Sequence, residues 1–192
     1  LMKIQFDGVC LDFSSPTGPN TFASCLARGL YELGHEIETS NNADVSLVFI
    51  EPSGVMLTNK IIQRLDGIWF KPDQIHTHNV KIKDQYQRSD VVIWQSEFDR
   101  LMTTKWFGTP KNGVVIRNGT DVKPATRFTN ANLRKIRASH HKVFCCSASW
   151  HGQKRLKQNV ELFMHLRKIY SDERCCLFVL GNPDWMISDP DI

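Results

Sequence analysis

The segment at positions 45–50 (VSLVFI) is the feature that most constrains the fold, because it is apolar almost throughout rather than alternating between apolar and polar residues. A strand of this kind has both faces covered by other elements, as in a parallel sheet. Stretches with the spacing of amphipathic helices separate it from other segments of strand character. Further strands are predicted at residues 2–6, 36–39, 60–65, 91–94 and 114–116, and helices at residues 20–33, 82–88 and 97–107. This alternation predicts an α/β fold with a doubly wound, Rossmann-like parallel sheet.

A second series of elements follows a polar segment at residues 120–130. It contains a strand at residues 143–148, an amphipathic helix and a strand at residues 176–180. This is the pattern of one βαβ unit, whose two strands are parallel. We therefore predict an N-terminal Rossmann-like domain at residues 1–121, followed at residues 122–192 by a linker and the first βαβ unit of a second such domain.

Charge is distributed unevenly between these two parts. Residues 1–121 carry 12 basic and 14 acidic side chains and residues 122–192 carry 12 basic and 6 acidic ones, so the net charges are −2 and +6. The C-terminal part is therefore expected to bind an anion. A phosphate-bearing small ligand explains this better than nucleic acid, because helix-turn-helix, zinc-finger and aromatic RNA-binding signatures are missing. No segment has the ~18 consecutive apolar residues of a membrane-spanning helix, so we predict a cytoplasmic protein.

The six cysteines and seven histidines indicate neither a metal centre nor a disulfide framework. Cys145-Cys146 and Cys175-Cys176 lie inside apolar strands, where neighbouring side chains point to opposite faces. We therefore predict buried free thiols. No pair has the C-x-x-C spacing of a zinc site, and no histidine has a partner at metal-ligand spacing. The sequence thus predicts no metal site.

Chemistry-bearing side chains follow several of the predicted strands. Ligands of an open parallel sheet bind beyond the carboxyl ends of its strands, so these positions are candidates for a site. Gly18 precedes a helix, whose free backbone N–H groups attract an anion, although a tight turn also requires such a residue. Lys154 and Arg155 place two cations before the second helix, where a solvated surface pair is the alternative. Asp66 and Glu97 are carboxylates that follow strands, and Asp66 can instead fix a turn.

Five segments, in this order along the chain, match motifs of one enzyme family. They are residues 18–22, 63–67, 89–98, 116–121 and 147–156, and the first of them begins a helix that ends at Gly34-His35. The series resembles the GT-B glycosyltransferases of family 4, also called glycosyl transferases group 1. The match extends over nearly the whole chain.

The resemblance implies a retaining hexosyltransferase, which transfers a sugar from a nucleoside diphosphate sugar to an acceptor hydroxyl with retention of configuration. It implies no metal or other cofactor, because the nucleotide sugar is a substrate. Asp66 then lies near the reacting sugar, at a position where many relatives carry a histidine. The resemblance assigns the donor to Gly18, Ser149, Lys154 and Arg155, and the acceptor cleft to Arg64, Gln95, Ser96, Glu97 and Asn118.

Two departures from the family pattern accompany the match. Ser149 stands where the donor motif usually has an arginine, so Lys154 and Arg155 are left to neutralise the diphosphate. The family's paired glutamates have no counterpart, and the donor domain is expected to be incomplete, in a truncated enzyme or a natural remnant. The resemblance therefore implies a transferase for the parent protein and leaves the activity of this 192-residue chain open.

The implied partners are a nucleotide sugar donor and a glycan, lipid or protein acceptor, without nucleic acid. A peripheral membrane contact and a homodimer are further options. The expected location is therefore the cytoplasm, with a place at the periphery of a membrane as the alternative. The competing interpretation is a Rossmann-like nucleotide-binding or interaction module without catalysis, in effect a degenerate transferase. A flavodoxin-like or receiver domain needs an acidic cluster after the first strand; Asp7 and Asp12 lie there, but the basic C-terminal unit does not fit.

Overall fold

The computed structural model describes residues 1–11, 18–38, 40–119, 131–140, 142–148, 150, 154–170 and 174–181. The chain divides into two compact units, Leu1–Asp121 and Val122–Ile192. The strands of the first unit are β1 (Lys3–Asp7), β2 (Glu36–Glu38), β3 (Val45–Phe49), β4 (Ile61–Leu65), β5 (Val91–Trp94) and β6 (Gly113–Val115). Its helices are α1 (Gly18–Glu32), α2 (Val80–Arg88) and α3 (Glu97–Phe107).

The six strands form one sheet in the order β2-β1-β3-β4-β5-β6, and every neighbouring pair is parallel. Parallel neighbours need a crossover between them. Helix α1 follows β1, α2 connects β4 to β5 and α3 connects β5 to β6, while β3 and β4 are connected by residues 50–60 without a helix. The register sets Arg64 beside Phe49 and Leu65 beside Trp94, so the strands end together along one edge. We call this the carboxyl edge. The α/β fold class with a Rossmann-like parallel sheet, predicted from the sequence, is confirmed.

Two hydrophobic clusters stabilise the first unit. One cluster joins α1 to β1 and β3, and its buried members are Ile4, Ala23, Leu47 and Phe49. The other joins α2 and α3 to β4 and β5, and its buried members are Leu65, Ile68, Ile82, Tyr86, Val92, Trp94 and Phe107. Strand β3 is buried at four of its five positions, as its apolar sequence predicts. The hydroxyl of Tyr86 donates to the carbonyl of Gly108 at 2.8 Å, which ties α2 to the residue that ends α3.

The start of α1 differs from the sequence prediction. The helix begins at Gly18 rather than Asn20. Pro19 is tolerated in the first turn, because backbone N–H groups there have no partner inside the helix. Asn20 therefore lies within the helix, where its side-chain Oδ1 accepts a hydrogen bond from the Cys10 N–H at 3.3 Å. This bond holds the segment that follows β1 against the first turn of α1.

The second unit contains α4 (Ala131–Ser139), β7 (Lys142–Ala148), α5 (Leu156–Tyr170) and β8 (Cys175–Gly181). Strands β7 and β8 are parallel and form a sheet of their own in the part of the chain that the structure describes. The indole N–H of Trp150 donates to the carbonyl of Leu180 at 2.9 Å, and its ring is buried. The rings of Phe144 and Phe163 pack edge to face, which fixes α5 on β7.

The prediction that the cysteines are buried thiols is wrong for three of them. All six are free, but Cys10, Cys25 and Cys145 are exposed and only Cys175 is fully buried. Cys145 lies on a strand of a two-stranded sheet, and the described elements leave part of that sheet uncovered. Phe144 and Leu180 on the same two strands are 39% and 50% exposed.

Candidate functional site

Four polar side chains that follow neighbouring strands meet at the carboxyl edge. Arg64 is next to the last residue of β4, Asp66 follows that strand, Gln95 follows β5, and Asn118 lies beyond β6. The strands are parallel and aligned, so residues far apart in sequence reach the same place. We call these residues the strand-end cluster.

Arg64 is the centre of the strand-end cluster. Its Nη2 donates to Asn118 Oδ1 at 3.1 Å and reaches Gln95 Oε1 at 3.5 Å, while its Nη1 lies 3.7 Å from Asp66 Oδ2. The planar guanidinium has several donors in fixed directions, which allows it to contact three partners at once. Arg64 therefore links the ends of three adjacent strands.

Gln95 and Asn118 complete this network with bonds of their own. Asn118 Nδ2 donates to Gln95 Oε1 at 3.0 Å, and Gln95 Nε2 donates to the carbonyl of Asp66 at 2.8 Å. The backbone N–H of Gln95 also donates to the carbonyl of Leu65. These bonds fix the backbone on both sides of Asp66, whose carboxylate is 29% exposed. The network thus presents a positioned carboxylate at the surface.

The guanidinium of Arg64 is shielded from solvent. Its side chain is only 6% exposed, and its central carbon lies 3.9 Å from the ring centroid of Phe22 on α1. Burial lowers the pKa of Arg64, and the neighbouring Asp66 acts in the opposite direction. An arginine stays charged at all physiological pH values. The positive charge under Asp66 is therefore permanent.

Asp99 is a buried carboxylate next to this network that the sequence analysis did not select. It is 3% exposed; its Oδ1 accepts from the Thr103 hydroxyl at 3.1 Å, and its Oδ2 has no hydrogen-bond donor among the described residues. Burial raises the pKa of Asp99, while the Thr103 bond and the charge of Arg64 oppose the shift. The available signal was its position three residues after Ser96, which is typical of a helix-capping pair.

Ser96 and Glu97 have local roles in the structure. Ser96 caps α3, because its side chain accepts a hydrogen bond from the backbone N–H of Asp99 at 3.1 Å. Glu97 is exposed and pairs with Arg100 one turn later at 2.7 Å. Acidic residues are favoured in the first turn of a helix. Both side chains lie at the carboxyl edge without bonding to the strand-end cluster.

A groove of about 500 Å³ opens at the same edge, beyond β1 and β3. It is lined by Phe6, Asp7, Gly8, Val9, Cys10, Asn20, Glu51, Pro52, Ser53 and Val55. Asp7 is buried, and its carboxylate accepts hydrogen bonds from the backbone N–H and the hydroxyl of Ser53. Gly8 has φ +80°, and a Cβ there would lie 2.4 Å from the Phe49 carbonyl oxygen. The two strand ends are therefore closely joined.

The charges around the groove do not favour an anion. Among its described lining residues, Asp7 and Glu51 are acidic and none is basic. Gly18 is the first residue of α1, and a side chain at that position would contact nothing within 4 Å. Gly18 is not among the described lining residues of the groove, although Asn20 in the same helical turn is. Its assignment to the donor diphosphate stays a prediction.

The start of α5 in the second unit is strongly basic. Lys154 and Arg155 precede the helix, Lys157 lies in its first turn, and all three are exposed. Arg155 has φ +55°, which is uncommon for a residue other than glycine, and its carbonyl accepts the bond from Asn159 N that begins the helix. Cations are unfavourable at a helix N-terminus unless an anion offsets them. Ser149 lies outside the described residues.

Two further properties bear on function. Within the described residues, no group of three or more His, Cys, Asp or Glu side chains is arranged to hold a metal ion. None of the described helices combines the length and the apolar character needed to cross a bilayer.

Comparison with known proteins gives one structural result. No model of a known protein family matches the sequence, and the search of curated proteins finds no match. Among solved structures, the chain is similar to α,α-trehalose 6-phosphate synthase from Burkholderia multivorans, a glycosyltransferase of the GT-B fold, with a TM-score of 0.54 and 15% identity. The similarity covers 85% of this chain and 42% of that one. It shows that the two proteins share a fold.

Proposed function

We propose that this chain is part of a glycosyltransferase that moves a sugar from a nucleoside diphosphate sugar to an acceptor hydroxyl with retention of configuration. The first unit supplies the acceptor side, and residues 122–192 supply a linker and part of the donor side. The observation that carries the proposal is the basic start of α5, on a βαβ unit within a chain whose fold is that of a GT-B glycosyltransferase. Family 4 membership is part of the same proposal.

The donor diphosphate is proposed to bind at the start of α5. The free N–H groups of the first helical turn and the side chains of Lys154 and Arg155 offer a concentrated positive site. A diphosphate leaving group gains negative charge as the sugar bond breaks. Groups that neutralise this charge lower the barrier of the transfer step. Ser149, in the same connection, is proposed to contact the donor as well.

The acceptor is proposed to bind along the carboxyl edge of the first unit. Asp66 presents a fixed, partly exposed carboxylate that can accept a hydrogen bond from a sugar hydroxyl, and Arg64 and Gln95 hold it in place. The groove beyond β1 and β3, whose described lining includes the carboxylates of Asp7 and Glu51, is proposed as a second hydroxyl-binding region on this edge. Asp66 is the proposed residue nearest the reaction, whereas Arg64, Gln95 and Asn118 are positioning residues.

Calorimetry with a nucleoside diphosphate tests the donor assignment. One charge-assisted contact to phosphate contributes about 1.5–3 kcal/mol, so Lys154→Ala is expected to weaken binding roughly 10-fold to 100-fold. Lys168→Ala is the matched control, because Lys168 is also an exposed lysine but lies in the last turn of α5. Equal affinity in the two variants contradicts the assignment.

A transfer assay tests the proposed reaction. The chain is incubated with nucleotide sugars and glycan acceptors, released nucleoside diphosphate is measured, and NMR identifies the anomer of the product. A product with the anomeric configuration of the donor supports the proposal, and an inverted product contradicts it. Tight nucleotide binding without any transferred sugar is the result expected of the competing function, a nucleotide-binding module without catalysis, and also of a donor side that residues 122–192 supply only in part.

A further inference from the structure

Residues 66–79 form a loop at the same edge as the strand-end cluster. The loop begins at the end of β4 and leads into α2. The N–H of Asp90, just before β5, donates to the carbonyl of Ile61 at the start of β4. Because β4 and β5 are parallel, α2 must return the chain from the carboxyl edge to the opposite one. The loop before α2 therefore lies at the carboxyl edge, beside Asp66.

A buried asparagine holds this loop closed. Asn79 is 3% exposed, its Oδ1 accepts from the Trp69 N–H at 3.0 Å, and its Nδ2 donates to the carbonyls of Trp69 at 2.6 Å and Ile75 at 2.9 Å. Both N–H donors and the oxygen of its amide therefore bond to the loop backbone. Ile68 and Ile75 are each only 8% exposed and anchor the loop in the protein. The loop conformation is therefore set before any ligand arrives.

The closed loop presents two adjacent aromatic side chains to solvent. Trp69 is 40% and Phe70 is 60% exposed. The ring of His78 lies 5.1 Å from that of Trp69 and supports one side of the indole. Exposed aromatic surface at a fixed position has an unfavourable contact with water, and such patches commonly mark binding sites. Asn79 fixes the loop backbone and His78 packs beside Trp69, so little conformational entropy of the indole is lost when a ligand binds.

We propose that Trp69 and Phe70 form a stacking surface for a neutral sugar ring of the acceptor, which rests on the proposed function. The apolar C–H face of a pyranose packs on an aromatic ring, while its hydroxyls point sideways toward polar groups such as Asp66. After Asp66, the rest of the loop carries the opposite charges of Lys71 and Asp73 and therefore no net charge, which fits a neutral ligand. Binding to an anionic lipid surface requires a cluster of basic residues, which this segment does not contain.

Saturation-transfer NMR with maltose, cellobiose and lactose tests this surface without any nucleotide. The wild-type chain is expected to transfer saturation to the C–H protons of at least one of these disaccharides. Loss of one aromatic contact is expected to weaken that binding roughly 3-fold to 10-fold in Trp69→Ala and in Phe70→Ala. Trp106→Ala is the matched control, because Trp106 is 41% exposed but lies at the far end of α3. It is expected to bind as the wild type does.

Three results overturn the proposal. The first is absence of saturation transfer to all three sugars in the wild type. The second is an equal loss of sugar binding in Trp69→Ala and Trp106→Ala. The third is binding to phosphatidylcholine–phosphatidylglycerol vesicles that depends on Trp69 and that the sugars do not displace. The last result identifies a membrane contact instead. Failure of the proposed function is recognised separately, because it appears as absence of nucleoside diphosphate binding while the sugar signal persists.

Discussion

Replacing Arg64 with methionine tests whether the strand-end cluster holds the carboxyl edge together. Methionine keeps an unbranched apolar chain but ends before the position of the guanidinium over Phe22, and it removes the donors to Asn118 and Gln95 and the charge opposite Asp66. Hydrogen bonds from a charged group contribute about 1.5–3 kcal/mol, and stacking of the cation on an aromatic ring adds about 0.5–2 kcal/mol.

Two features of the structure reduce this sum. The carboxylate of Asp66 is 29% exposed, so water replaces part of what it loses, and the amides of Gln95 and Asn118 still bond to each other. We therefore expect Arg64→Met to lower the free energy of unfolding of the first unit by about 2–4 kcal/mol. Arg64→Lys keeps the charge but cannot contact three partners at once. Its free energy of unfolding is expected to lie between those of the wild type and Arg64→Met.

The assay is amide hydrogen exchange of peptides from β4 and β5, which reports the stability of the first unit separately from the second. Arg100→Met is the control, because Arg100 forms an exposed pair with Glu97 and exposed pairs contribute less than about 1 kcal/mol. Equal effects of Arg64→Met and Arg100→Met refute the reasoning, since the buried network would then add nothing to stability.

The remaining predictions concern stability. Lys111 and the Ile61 N–H bond to the carboxylate of Asp90 and lower its pKa. These bonds therefore stabilise the fold above the pKa of the unfolded chain, and this stability is lost as pH falls through the folded pKa. In urea unfolding, Asp90→Asn should be destabilising at about pH 7 and neutral in acid. Burial raises the pKa of Asp99, so ionisation opposes folding as pH rises, and the stability of Asp99→Asn relative to wild type should increase from about pH 4 to about pH 8. A Cβ on Gly113 would lie 2.3 Å from the buried ring of Trp94, whereas one on Gly119 meets nothing within 4 Å among the described residues. Thermal unfolding should therefore show a clearly lower melting temperature for Gly113→Ala and little change for Gly119→Ala.

The periodicity of the sequence was sufficient to predict the elements but not their arrangement. Strand β5 and helix α3 have the bounds expected from their apolar spacing. The order of the strands depends on contacts between distant segments, so local patterns carried no information about which strand ends are neighbours. The strand-end positions did predict that Asp66, Gln95 and Asn118 share one edge, because the parallel strands of the sheet all end there.

The candidate site was predictable in position but not in detail. Arg64 has only a short local pattern, and its burial depends on Phe22, which is 42 positions earlier in the sequence. From the sequence, Asp99 is expected to be a solvated residue of the first turn of α3. Its burial depends on the orientation of that helix, which the local sequence does not determine. Glu97 follows a strand as a site carboxylate would, but Arg100 one turn later provides a nearer partner. The thiol of Cys145 is exposed because burial of a strand depends on which elements cover it.

Mapping where a nucleoside diphosphate binds tests the central claim most directly. Amide NMR spectra of the labelled chain are recorded during titration with uridine diphosphate, guanosine diphosphate or adenosine diphosphate, and the corresponding monophosphates serve as controls. The account predicts that a diphosphate shifts the amides of Lys154, Leu156 and Lys157 at the start of α5, with smaller shifts from its monophosphate. Shifts confined to the first unit, or no shifts with any of the three diphosphates, contradict it.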